Sequence, residues 1–123
     1  AGLMKDLGVT IVGCGMIARF HARALGDVPN TKVRVLVSRS AENAQKMKDE
    51  LKLDCDIAAD LDVALKRKDV DVVIITTPSG AHMEPAVQAA NAKKHVVVEK
   101  PLEITLERCD RIIDACEKNR VLL

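Results

Sequence analysis

Short runs of β-branched residues alternate with helical patterns from one end of the chain to the other. The alternation predicts strands over 9–12, 32–37, 54–58, 70–75 and 95–98, and helices over 16–25, 41–53, 61–68, 81–92 and 106–118. Strands that alternate with helices form βαβ units, in which the strands are parallel and the crossovers right-handed. We therefore expect an α/β fold, a doubly wound parallel sheet between two helical layers, with a ligand crevice at the carboxyl ends of the strands.

The length and composition indicate one domain, assigned to residues 4–123, because 123 residues leave no room for two. Phe20 is the only aromatic residue, so the core must consist of aliphatic side chains, Met and Cys. The net charge of +1 includes no basic stripe, and no apolar run reaches the roughly 20 residues of a membrane span. We expect neither nucleic acid nor a membrane as partner. Four cysteines without metal-site spacing indicate no metal and a reducing, cytoplasmic environment.

A glycine-rich turn, G-x-G-x-x-A over residues 13–18, follows the first predicted strand. Gly13 permits the tight turn out of the strand, and Gly15, which has no Cβ, lets the backbone approach a pyrophosphate. The amides of Gly15, Met16 and Ile17 would then face the phosphates at the positive end of a helix. Because the motif lies between a strand and a helix in the first βαβ unit, it predicts a nicotinamide-dinucleotide site. The alternative is a turn that serves packing alone.

The residues after the second predicted strand favour NADP over NAD. An acidic residue here would bind the ribose hydroxyls of the adenosine, but the chain has Ser38, Arg39 and Ser40. The two hydroxyls can donate hydrogen bonds to a 2′-phosphate, and the guanidinium can pair with it. Arg39 could instead stack on the adenine or remain solvated, in which case NAD would be the cofactor.

Two further loops leave the same predicted rim of the sheet. Residues 76–82 follow the fourth strand and can line the nicotinamide side of the crevice, although His82 could be only a polar residue at a helix start. Glu99, Lys100 and Pro101 close the fifth strand. An ammonium group on this rim could hold a substrate hydroxyl or stabilise an alkoxide during hydride transfer. Structural roles are expected for the other histidines, His21 and His95.

With these motifs the chain resembles the Gfo/Idh/MocA family, which includes glucose–fructose oxidoreductase and inositol dehydrogenase. The resemblance extends from Val9 to the end of the chain. Its carriers are residues 12–18 with His21, residues 77–79 with His82, and above all residues 95–102 with their Glu-Lys-Pro ending. It implies an NAD(P)-dependent oxidoreductase that oxidises a secondary alcohol of a sugar or cyclitol, or reduces the matching ketone.

The resemblance also implies roles for single residues. Lys100 would be the catalytic-site lysine that orients the substrate, and Glu99 would lie near the nicotinamide ribose. Ser38 and Arg39 would lie at the adenosine ribose. The other cofactor contacts would come from Gly13, Gly15, Met16 and Ile17 at the pyrophosphate, and from Thr77, Pro78, Ser79 and His82 along the cleft.

Members of this family carry a second α/β domain that supplies most substrate contacts and the residues that handle the proton. That C-terminal domain is absent from this sequence, and residues 121–123 read as the start of an interrupted sixth strand. We therefore expect a truncated cofactor domain with little or no turnover by itself, and a homo-oligomer formed through the bare surface. Two alternatives stay open: a stand-alone module that senses or presents the dinucleotide, and another dehydrogenase family with a similar first domain, against which the Glu-Lys-Pro ending argues.

Overall fold

A computed structural model describes residues 6–77, 81–99, 103 and 105–123. Within this part of the chain, strands and helices alternate as the sequence predicts. The strands are β1 (Leu7–Val12), β2 (Thr31–Val37), β3 (Asp56–Ala58), β4 (Val72–Ile75) and β5 (His95–Val98). The helices are α1 (Met16–Leu25), α2 (Ala41–Leu51), α3 (Leu61–Leu65), α4 (Met83–Asn91) and α5 (Leu106–Lys118).

The strands form one parallel sheet in the order β3-β2-β1-β4-β5, which confirms the predicted α/β fold. Strand β1 lies at the centre, and Val12 pairs with Val37 of β2 on one side and with Ile75 of β4 on the other. The carboxyl ends of these three strands are therefore level. The strand order reverses direction between β1 and β4, and open α/β sheets bind ligands at such a switch point.

Apolar side chains form two cores, one on each face of the sheet, as expected for three layers. Helices α1 and α2 cover one face, where Ile11, Leu36 and Met47 are fully buried. The other three helices cover the opposite face, with Ile75 and Ile112 at its centre.

The apolar stripe predicted for α5 is wrong at two positions. Ile112 and Cys116 are buried, but Leu106 is 84% exposed and Ile113 is 38% exposed. The helix packs against the core through a narrower strip of its surface than its sequence period indicates, because only one side of it faces α4 and the sheet.

The last residues of the chain lie along the outer edge of β5. The Val96 amide donates a hydrogen bond of 2.9 Å to the Leu122 carbonyl, and the Leu122 amide donates one of 3.0 Å to Nδ1 of His95. Only the first of these contacts joins two backbones, and residues 121–123 form no strand beside β5, so the predicted sixth strand is not present there. The second contact gives His95 a structural role. No helix in the described part of the chain is long and apolar enough to cross a bilayer.

Candidate dinucleotide site

Gly13 is required at the end of β1 by both its conformation and its surroundings. Its φ of +99° lies in the region that favours glycine, and an added Cβ would lie 2.6 Å from Oγ1 of Thr76. The Thr76 hydroxyl donates a 2.8 Å hydrogen bond to the Val12 carbonyl, so it cannot move away without losing that hydrogen bond. The chain therefore turns sharply away from the sheet here, as the motif predicts.

Gly15 differs from Gly13 because its missing side chain leaves open space. Its backbone (φ −91°, ψ −163°) is accessible to any residue, and an added Cβ would meet no atom of the described residues within 4 Å. Gly15 is the N-cap of α1, so this space adjoins the first-turn amides, which have no partner within the helix. Partial positive charge at a helix N-terminus attracts anions. The turn thus fits a diphosphate, which the predicted cofactor would supply.

Arg19, which the sequence analysis did not identify, supports this turn from α1. Its Nη1 donates hydrogen bonds to the carbonyls of Cys14 (2.6 Å) and Gly15 (3.3 Å), and its Nε donates to Oε2 of Glu50 (2.7 Å) on α2. The bonds to the guanidinium lower the pKa of the Glu50 carboxyl below its usual range. A cation in the first turn of a helix opposes the helix dipole, and that mismatch was the available sequence signal.

A cleft of about 610 Å³ opens beside the turn, between the ends of β1 and β2 and the start of α4. It brings together four of the predicted cofactor residues, which come from three separate loops: Gly13, Ser38, Arg39 and Thr77. Two carboxylates that are not among the predicted cofactor residues also line it, Asp60 and Glu84. Asp60 is the N-cap of α3, but its side chain makes no capping hydrogen bond.

The end of β2 is ordered by two serines. The Ser38 hydroxyl accepts a hydrogen bond from the Ser40 amide (3.1 Å), and the Ser40 hydroxyl caps α2 by accepting one from Asn43 (3.1 Å). Burial raises the pKa of the neighbouring Cys14 thiol, while its hydrogen bond to Ser38 opposes the rise. Cys14 therefore stays a protonated packing group, as expected of the cysteines.

His82, at the end of the sequence segment that follows β4, is buried beside Thr77 and does not line the cleft. Its side chain is 1% exposed, and its Nε2 lies 2.6 Å from the carbonyl oxygen of Thr77. The Thr77 hydroxyl donates a 3.0 Å hydrogen bond to the Ala81 carbonyl. These contacts place Thr77 at the cleft and give His82 a supporting position. The other predicted residues of this loop, Pro78 and Ser79, lie outside the described residues.

The end of β5 is joined to α1 by a pair of titratable side chains. Glu99 contacts Nε2 of His21 through its carboxylate, and its amide donates a 3.2 Å hydrogen bond to the Ile75 carbonyl. His21, expected to be structural, thus holds a predicted cofactor residue close to the helix that begins at the glycine-rich turn. Lys100, the predicted catalytic residue, lies outside the described residues.

Glu103 is a buried carboxylate that the sequence analysis missed. Its side chain is fully buried, and Oε2 accepts hydrogen bonds from the amides of His82 (3.1 Å) and Met83 (2.8 Å) at the start of α4. Arg108 lies 3.4 Å from the same oxygen. No motif contains Glu103, so no sequence signal indicated this cap. Among the described residues, no cluster of three or more His, Cys, Asp or Glu side chains could hold a metal ion.

Sequence comparison matches residues 7–123 to the Gfo/Idh/MocA family, described as an oxidoreductase family with an NAD-binding Rossmann fold. A 2,7-anhydro-N-acetylneuraminate hydratase of Mediterraneibacter gnavus is 34% identical over 97% of the chain. An inositol 2-dehydrogenase of Salmonella typhimurium is 40% identical over 89% of it. The chain spans about a third of the length of these relatives (31% and 33%).

Solved structures match the fold closely. A putative NADPH-dependent oxidoreductase from Desulfitobacterium hafniense superposes with a TM-score of 0.89 at 30% identity, covering 97% of this chain and 34% of that one. GenD2 from gentamicin A biosynthesis, crystallised with NAD, superposes with a TM-score of 0.88 at 27% identity, covering 98% and 34%. Both forms of the nicotinamide dinucleotide are therefore named among the structural neighbours.

Proposed function

The chain belongs to the Gfo/Idh/MocA oxidoreductase family as its NAD-binding Rossmann domain, and we propose from this that it holds NAD(P) for hydride transfer to or from a sugar or cyclitol. The observation that carries the proposal is the open side of Gly15, where the backbone at the start of α1 is accessible to a diphosphate. A glycine needed for packing has neighbouring atoms at its Cβ position, as Gly13 does, and Gly15 has none among the described residues.

In this proposal, different residues around the turn bind different parts of the cofactor. The amides of Gly15, Met16 and Ile17 bind the diphosphate, since the first turn of a helix has donors to spare. Thr77 lines the cleft, and Pro78 and Ser79, which follow it in the sequence, are proposed as further cofactor contacts. Glu99, held by His21, lies at the nicotinamide ribose. Bound there, the nicotinamide supplies the hydride donor or acceptor.

NADP is the proposed form of the cofactor. Ser38 and Arg39 line the cleft at the end of β2, where they can meet a 2′-phosphate with hydrogen bonds and a positive charge. Asp60 lines the same cleft and favours the opposite choice, because a carboxylate repels a phosphate. In this proposal the balance between the charges of Arg39 and Asp60 decides whether the cleft prefers NADP or NAD.

The proposed substrates are secondary alcohols of sugars or cyclitols, or the matching ketones, and the inositol 2-dehydrogenase of Salmonella typhimurium supports this. Lys100, which follows β5, is proposed to orient the substrate hydroxyl. A second candidate is hydration chemistry on a sugar acid, which the hydratase of Mediterraneibacter gnavus favours.

We propose that the 123 residues bind the dinucleotide but do not complete a reaction alone, because oriented substrate and a base are both needed. Steady NADPH production from inositol and NADP, followed at 340 nm, would contradict this.

Gly15→Ala tests the binding proposal. The new Cβ meets nothing in the fold but extends into the proposed diphosphate site, so we expect an unchanged melting temperature and a Kd for NADPH raised about tenfold or more. Gly13→Ala is the contrasting variant, since strain and the Thr76 contact should lower the melting temperature as well. The chain has no Trp or Tyr, so calorimetric titration is the suitable binding assay.

Two results would overturn the proposal. One is a wild-type chain that binds neither NADP(H) nor NAD(H). The other is a Gly15→Ala variant that binds as tightly as the wild type, since the diphosphate would then lie elsewhere.

A further inference from the structure

We propose that Arg19 is a positioning residue for the diphosphate: it holds and polarises the peptide units whose amides bind the phosphates, without binding them itself. The inference rests on the proposed function of the glycine-rich turn. It adds a residue, Arg19, and its partner on α2, Glu50, to a site otherwise made of backbone.

The geometry follows from which atoms share a peptide unit. The Cys14 carbonyl belongs to the same planar unit as the Gly15 amide, and the Gly15 carbonyl to the same unit as the Met16 amide. In a trans peptide the carbonyl and the amide N–H point in opposite directions. Arg19 Nη1 donates to both carbonyls, at 2.6 Å and 3.3 Å. Its guanidinium therefore binds the far side of the two units whose N–H groups are directed to the proposed phosphates.

A charged donor on a carbonyl strengthens the amide of the same unit as a donor. Charge-assisted hydrogen bonds are stronger than neutral ones, and linked hydrogen bonds polarise one another. The Arg19 side chain is only 20% exposed, so solvent screens this effect less than at an open surface. We therefore expect Arg19 to increase the anion affinity of the Gly15 and Met16 amides as well as to fix their direction.

Glu50 explains why the cation remains behind the turn. It accepts from Nε at 2.7 Å and from Nη2 at 3.4 Å, so all three guanidinium nitrogens have acceptors within the fold. This two-point contact fixes the plane of the guanidinium, as an ammonium group could not. It also offsets the unfavourable interaction of a cation with the N-terminus of α1.

The test compares Arg19→Met, Arg19→Lys and Glu50→Gln by calorimetric and NMR titration with NADPH, ADP and adenosine. We expect Arg19→Met to raise the Kd of both diphosphate ligands about tenfold, with adenosine binding unchanged. Arg19→Lys should recover little of the loss, because one ammonium cannot span two carbonyls and Glu50. Glu50→Gln should raise the Kd of NADPH and ADP by a smaller factor.

The NMR spectrum provides a second readout that needs no ligand. Without the charged donor on their carbonyls, the Gly15 and Met16 amide nitrogens should move upfield in Arg19→Met, and they should stay upfield in Arg19→Lys. This measurement also applies to the milder Glu50→Gln variant if Arg19→Met does not fold.

Specific results would overturn the inference. Unchanged ADP affinity in Arg19→Met would do so, and full recovery in Arg19→Lys would indicate a simple charge effect. An equal loss of adenosine affinity would indicate a structural role. If the wild type itself binds no dinucleotide, the proposed function fails; if it binds and Arg19→Met binds equally well, only this inference fails.

Discussion

Arg39 and Asp60 place opposite charges in the same cleft, and a 2′-phosphate distinguishes between them. Arg39→Gln should raise the Kd for NADP about tenfold, roughly 1.4 kcal/mol, and leave the Kd for NAD within about twofold, because only NADP carries the extra phosphate. Asp60→Asn should lower the Kd for NADP, because it removes a negative charge from the cleft. Asn serves equally well as the N-cap of α3. Calorimetric titration with both cofactors gives the ratios.

A wild-type chain that binds NAD more tightly than NADP would contradict the choice of NADP. Equal effects of Arg39→Gln on the two cofactors would place the guanidinium at the adenine instead, which is the alternative that the sequence leaves open.

Single residues divide into those that a motif predicts and those that only the fold identifies. The roles of Gly13 and Gly15 follow from their spacing after a strand, and the structure brings Gly13 beside Ser38 and Thr77. Gly8 belongs to no motif, yet a Cβ there would lie 1.5 Å from the Asp69 carbonyl oxygen. Such a requirement depends on residues about 60 positions away, so local sequence rules cannot reveal it. Glu103 cannot be identified locally either, because its two amide partners lie 21 and 20 positions earlier in the chain.

At the scale of helices and strands, local signals fix the starts of α2 and α3 better than their ends. Ser40 and Thr105 are residue types that favour N-caps, and each accepts a hydrogen bond from the amide three residues ahead, whereas Asp60 before α3 makes no capping hydrogen bond. Helix α2 ends two residues earlier than predicted, because Lys52 takes a left-handed conformation with φ +52°. Helix α3 also ends earlier than predicted, at Leu65, whereas strands β3 and β4 each begin two residues later than predicted. These bounds depend on contacts with other elements, which a periodic pattern does not contain.

The start of α4, which borders the cleft, depends on a cap supplied by a distant residue. Glu103→Gln removes the charge from an oxygen that accepts two amides and lies beside Arg108, so we expect a loss of about 1–3 kcal/mol in the free energy of unfolding. Glu107→Gln is the matched control on α5. That carboxylate pairs with Arg111 at the surface, where ion pairs contribute about 1 kcal/mol or less. Urea denaturation measures both.

Glu103→Gln should also weaken dinucleotide binding, since the same amides precede Glu84 and Pro85 of the cleft. Equal stability of the two variants would show that the Glu103 charge contributes nothing to the α4 cap.

At the scale of the whole molecule, large apolar side chains are exposed on several elements, among them α1 and the outer edge of β5. Met16 (84% exposed) and Phe20 (67%) lie one turn apart at the start of α1, close to the proposed diphosphate site. Val97 (42%) and Leu122 (73%) lie on β5 and at its outer edge. Exposed apolar side chains that lie close together are characteristic of interfaces. We propose that it is covered by a second copy of the chain, as the sequence analysis expects of a homo-oligomer.

Sedimentation velocity should therefore show a weight-average mass that rises with protein concentration. Phe20→Ser should reduce the association if the face of α1 carries it, and Leu122→Ser if the edge of β5 does, because each removes apolar area from one place only. Val63→Ser, which changes an exposed apolar residue of α3, is the control and should leave the association unchanged. Adding NADPH distinguishes the two surfaces further. A ligand at the N-terminus of α1 should reduce association through Met16 and Phe20 but leave association through β5 unchanged. A monomer at every concentration would contradict the proposal, and it would leave these side chains exposed to solvent in the isolated chain.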